Sequence, residues 1–201
     1  MKIFAASLLL AFTGVMVAAT APDQTAPVPR KAPEFVFNMQ DGKQLLLSSY
    51  KGKVVAIAFM FTTCSHCQAF APVLATIQRD YAAKGVQILG CVVDDGAKEG
   101  LANFSALYAK NAYPVGWNLQ VTALEFLKHP PSKPFYVPSM AFVDRKGMIQ
   151  AQFIGNDENF FTDQDKNVRA ELDKVLNGTV GAKPAAAIKT GAKVVDSKVK
   201  K

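Results

Sequence analysis

The chain has 201 residues, half of them hydrophobic, and a formal net charge of +7. That charge is concentrated between Gly181 and Lys201, where six lysines and one aspartate net +5, and Lys2 adds a further +1. The body between them nets only +1 and has no basic stripe with interleaved aromatics, so nucleic-acid binding finds no support.

In chain order, residues 1–21 read as a secretory signal: Lys2 gives the positive start, Ile3 to Val17 is largely apolar, and Ala19-Thr20-Ala21 offers small residues for cleavage, preferred after Ala19. No cysteine stands at the cleavage site, which argues against a lipidated form. Export would place the protein in the periplasm or outside the cell, where disulfides persist. Residues 22–33, with Pro22, Pro27, Pro29 and Pro33, read as an extended linker. Residues 34–178 are enough for one domain with its own core. Residues 179–201 read as a disordered tail rich in lysine and alanine; contact with an anionic membrane is open to it, but a solvated extension is the better reading.

Within the body, Glu34 to Asn38 and Gln44 to Leu47 predict two short strands around Gln40-Asp41-Gly42-Lys43. Lys53 to Phe61 is nearly all apolar, as in a strand covered on both faces. A helix opens at Cys64 and runs to about Lys84, with Phe70, Val73, Leu74, Ile77 and Tyr81 at helical spacing and Pro72 inside it, where a kink is expected. Val86 to Val93 gives a second buried strand, and Leu101 to Asn111 another helix. Val121 to Lys128 suggests one or two helical turns. Met140 to Val143 and Ile149 to Ile154 form a hairpin, and Asp163 to Leu176 a last helix with Thr162 as N-cap. This order implies an α/β fold, a mixed sheet with helices on both faces.

The chemistry centres on Cys64-Ser65-His66-Cys67. Two thiols three positions apart at a helix start face the positive end of the helix dipole, which favours the thiolate, the reactive form in disulfide exchange. Half of a zinc site is an alternative, but a second CxxC or a Cys/His pair at ligand spacing is absent and the only other histidine is His129. A structural disulfide is another, although so small a loop gains little from closure. Cys91, in the apolar run Ile88 to Val93, reads as a buried, inert thiol. Trp117 reads as a packing residue, and Met60, Met140 and Met148 are too scattered for a copper set.

Several separated segments resemble the thioredoxin fold, and within it the exported TlpA-like thiol–disulfide oxidoreductases of the redoxin (AhpC-TSA) group. They are Ala32-Pro33-Glu34-Phe35 with Asp41-Gly42-Lys43, Tyr50 to Val55, the CxxC itself, Pro72, Val137-Pro138-Ser139, and Phe142 to Gly147. The resemblance implies a three-layer fold with an extra N-terminal strand pair, and a thiol–disulfide oxidoreductase that needs no cofactor beyond the Cys64–Cys67 disulfide. It makes Cys64 the nucleophile, Cys67 the resolving thiol, and Pro138 a cis proline lying against the sulfurs. Val137 would pair with an extended substrate segment, with Thr63 and Ser65 beside it. From its own position at the helix start, His66 when protonated would favour a nearby thiolate and so make the pair more oxidising; the alternative is a plain exposed helix residue. Implied partners are exported proteins carrying disulfides or thiols and an upstream membrane or periplasmic electron donor.

Two positions depart from the pattern: Thr63 stands where such reductases often have tryptophan, and Ala58 where thioredoxin has the acid that serves the second thiol. Asp94 and Glu99 are the substitutes the sequence offers. Two other functions come from the same fold. A copper carrier would use Cys64, Cys67 and a histidine, for which His129 is badly placed; a peroxiredoxin-like peroxidase would need a threonine where Phe61 stands.

Overall fold

The computed structural model describes residues 26–178. The expected signal segment, 1–21, and the tail, 179–201, lie outside the described residues.

Eight strands of the described residues form one sheet: β1 (Arg30–Lys31), β2 (Val36–Asn38), β3 (Gln44–Leu46), β4 (Val54–Met60), β5 (Val86–Val92), β6 (Val115–Trp117), β7 (Ser139–Val143) and β8 (Met148–Phe153). The helices are α1 (Ser65–Tyr81), α2 (Ala97–Leu107), α3 (Gln120–Leu127), α4 (Glu158–Phe161) and α5 (Gln164–Gly178). The strand order is β1-β8-β7-β4-β5-β6-β2-β3. β4, β5 and β6 run parallel, while β7 and β2 flank them antiparallel. The sheet is therefore mixed, and the β2–β3 hairpin is the extra N-terminal strand pair, attached beyond β6.

β4 shows why the layers form. All seven of its residues are buried, and the period-two alternation of a strand sends them to opposite faces. Val54, Ala56, Ala58 and Met60 join one core with Phe70, Leu74 and Ile77 of α1, Phe104 of α2 and Leu172 of α5. Val55, Ile57 and Phe59 join the other with Phe35, Phe37 and, from α3, Phe126 and Leu127. The result is three layers, a sheet between helices, as a continuous apolar strand requires.

β6 is too short to cover the whole of β5, and α1 supplies what is missing. The buried Gln78 accepts a hydrogen bond from Ile88 N at 2.6 Å and donates to Val86 O at 3.4 Å. α1 also runs unbroken through Pro72, and the buried Tyr113 hydroxyl donates to Ala71 O at 3.2 Å.

The structure departs from the sequence expectations at several places. Arg30–Lys31, assigned to a linker, pairs antiparallel with Met148 and Ile149 and becomes an edge strand. Val115–Trp117 is a strand the pattern missed: three residues containing Gly116 carry too little alternation, and their pairing is set by β5. α2 begins four residues early, at Ala97, because its buried residues start there. Glu158–Phe161 forms the short helix α4, and Thr162 closes it through a hydroxyl bond to Glu158 O. Asp163, not Thr162, caps α5, accepting from Lys166 N at 3.3 Å.

Candidate active site

Parallel strands bring their C-terminal ends to one edge, and an antiparallel neighbour brings its N-terminal end there. The segments following β4 and β5 and preceding β7 meet in this way, and they carry the dithiol, Asp94 and the Val137–Pro138 loop.

Cys64 is the N-cap of α1. Its extended backbone (φ −79°, ψ 117°) lets its sulfur turn back onto the helix, where it accepts the Cys67 N–H at 3.4 Å. A helix start leaves such amides without internal partners, so a sulfur there is matched to a donor that needs one. Cys64 is part-exposed, whereas Cys67, one turn deeper, is fully buried, and both stand as free thiols. Burial pushes the Cys67 thiol far above its ordinary range; its bond with Cys64 and the negative charge of Asp94 push the same way, against the Phe61 backbone.

The Val137–Pro138 peptide is cis, as the resemblance implied, with Pro138 buried and Val137 part-buried. The Cys64 thiol donates to Val137 O at 3.8 Å. The loop is held by the turn after β8: Gly155 N donates to Tyr136 O at 3.2 Å, and a Cβ on Gly155 would sit 2.7 Å from Tyr136 C. Thr63, Ser65 and His66 are all exposed around Cys64.

Of the two acids offered in place of Ala58, Asp94 lies at the site. It accepts from Thr62 N at 2.8 Å and from the Thr62 hydroxyl at 2.5 Å. Glu99 is an exposed residue of the first turn of α2. Thr62 was missed in the sequence, since nothing local marks it; its partner lies 32 positions away across two strands.

Cys91 is buried in the core opposite the one that holds Cys67, so the sheet stands between them. Its thiol, also raised by burial, is 3.9 Å from Val92 O. His129 is buried against Phe135, with Nε2 3.3 Å from Lys133 O. Among the described residues no three His, Cys, Asp or Glu side chains form a group able to hold a metal ion, so a Cys64–Cys67–His129 copper site does not assemble. Trp117 packs against the core from β6.

These features define a thioredoxin-fold protein with a paired-cysteine site, one thiol presented and one buried beneath it. The Redoxin family model matches residues 27–176. The thiol–disulfide oxidoreductase ResA of Bacillus subtilis (strain 168) is 34% identical over 84 residues, covering 42% of this chain and 46% of that protein. ResA of Bacillus anthracis is 26% identical over 135 residues, covering 67% of this chain and 74% of that protein. The chain thus spans less than half the length of the first relative and about three quarters of the second. Among solved structures, a thiol:disulfide interchange protein of the thioredoxin family from Chlorobium tepidum TLS superposes with a TM-score of 0.56 at 23% identity, covering 73% of this chain and 99% of that one, a likeness of fold. The chain belongs to the Redoxin family and has the thioredoxin fold.

Proposed function

We propose that the protein is an exported thiol–disulfide oxidoreductase that exchanges its Cys64/Cys67 dithiol with disulfides of partner proteins, acting as a reductant. One observation carries the reading: a part-exposed Cys64 on a helix N-terminus, with a buried Cys67 one turn below and the Val137 carbonyl alongside its sulfur. In the reaction the Cys64 thiolate attacks a partner disulfide, forming a mixed disulfide and releasing one partner thiolate, which takes a proton from solvent. Cys67 then loses its proton and attacks Cys64, releasing the second partner thiolate and closing the Cys64–Cys67 disulfide. Two electrons pass to the partner, and an upstream thiol donor in the membrane or periplasm restores the dithiol; no other cofactor is required.

The partner segment would lie extended along Val137, adding a short backbone bridge. Thr63 and Ser65 would flank its cysteine. The reducing direction rests on the resemblance; at the site, burial and Asp94 oppose ionisation of the deeper thiol, so Cys67 adds no thiolate charge to the dithiol form. Export is supported by the composition of residues 1–21.

The deciding experiment is reduction of a model protein disulfide by the dithiol form. Activity lost in Cys64→Ser is the expected result, and full activity in that variant would overturn the assignment. A reduction potential near about −270 mV is expected, and one near about −120 mV would reverse the direction.

A further inference from the structure

Thr62, two residues before the nucleophile, is tied at every polar group it has. Its N–H and hydroxyl both bond to Asp94, and its carbonyl accepts from Gln68 Nε2, one turn into α1, at 2.8 Å. Its side chain also rests on α2: a Cβ at Gly100 would meet Thr62 Cγ2 and Oγ1 at 3.0 Å. The ends of β4 and β5 and the starts of α1 and α2 therefore converge on one threonine.

We propose that Asp94 is a positioning residue of the dithiol, acting through Thr62 to fix the first turn of α1 so that the Cys64 sulfur sits on the Cys67 amide. The inference rests on Cys64 being the reactive thiol. The Cys67 N–H to Cys64 Sγ contact, at 3.4 Å, strengthens when the sulfur carries charge. Its geometry depends on where the chain enters the helix, and the Asp94–Thr62 pair fixes that entry. Asp94 is thus given a role distinct from its charge, which by itself opposes ionisation at Cys67.

The two contributions separate by substitution. Thr62→Val keeps the shape, the Thr62 N–H and the Asp94 charge, and removes only the hydroxyl bond. Asp94→Asn removes the charge and leaves an oxygen to accept from Thr62 N. The readout is the pH profile of Cys64 alkylation by iodoacetamide in the intact dithiol protein, alongside the reduction potential of the pair, with circular dichroism to show each variant folded.

The expected result is that Thr62→Val alkylates more slowly at neutral pH, by up to about tenfold, the limit set by full loss of the Cys67 N–H bond to a charged sulfur. Its profile should move to higher pH, and Thr62→Ser, which restores the hydroxyl, should recover the rate. A Thr62→Val profile identical to the natural protein would overturn the proposal, whether or not Asp94→Asn moves it; movement in Asp94→Asn alone would leave charge as the whole effect. Gly100→Ala gives a second, independent arm. It favours the helix while crowding Thr62, so slower alkylation at undiminished thermal stability is expected, and unchanged alkylation counts against the clamp. Alkylation and potential are measurable even in a protein that reduces no partner, so failure of the clamp and failure of the oxidoreductase reading are distinguishable.

Discussion

Two cysteines three positions apart occupy different physical environments. Cys64 is part-exposed at the end of a helix, and Cys67 lies beneath it with no solvent contact and a thiol raised by burial. Brief treatment of the dithiol protein with iodoacetamide at neutral pH should therefore label Cys64 and leave Cys67 and Cys91 unlabelled, which peptide mass spectrometry will show. Gly155 makes a second residue-scale prediction. Any side chain there meets the backbone of Tyr136 and Val137, so Gly155→Ala should cost about 1–3 kcal/mol in urea unfolding and slow disulfide reduction by displacing the cis-proline loop. The cysteine pair stands out as a short local motif, whereas the cis Val137–Pro138 peptide was expected only through the resemblance, since the local sequence alone reads as a turn proline. Thr62, Gln68 and Gly155 were legible in neither way. Their importance arises from contacts with Asp94, the α1 entry and Tyr136, which only the assembled sheet brings together.

At the scale of elements, α1 is both the carrier of the dithiol and a substitute strand. Gln78 satisfies backbone groups of β5 that no neighbouring strand reaches. Replacing it with alanine leaves the Ile88 amide and the Val86 carbonyl without these partners, and an equilibrium urea titration should show a loss of about 3 kcal/mol. The long, strongly patterned elements β4, β5, α1 and the β7–β8 hairpin could be read directly, since both faces of a central strand and one face of a long helix impose their own periodicity. β1, β6 and α4 could not. Each spans two to four residues and exists because an adjacent element accepts it: β8 for Arg30–Lys31, β5 for Val115–Trp117, and the Asp157 cap for Glu158–Phe161. The start of α5 was missed by one residue because Thr162 and Asp163 are both good caps; the preceding helix takes the threonine and leaves the aspartate.

Across the whole molecule, burial of weak acids gives stability a pH dependence. Cys67, Cys91 and Tyr113 all ionise at higher pH in the folded protein than in the unfolded chain, with burial as the leading cause. Below the ordinary thiol range of about 8.5 these groups are protonated in both states and their contribution is fully present. Above it the unfolded chain sheds protons that the folded chain retains, so stability falls as pH rises. Urea midpoints of the reduced protein should be level across neutral pH and decline above about pH 9. Cys91→Val should make the decline shallower without altering the dithiol, which lies on the other side of the sheet.

The thiol–carbonyl contact between Cys64 and Val137 has a consequence for timing. In the resting dithiol the carbonyl that an incoming strand would use is already engaged, by the hydrogen of the nucleophile itself. If Cys64 is the nucleophile and Val137 the docking residue, loss of that hydrogen would create the attacking anion and release the acceptor in a single event. On the proposed mechanism, arming the sulfur and freeing the second lone pair of the docking carbonyl would be one proton's departure, so a partner strand would gain its strongest hold as the thiol becomes reactive.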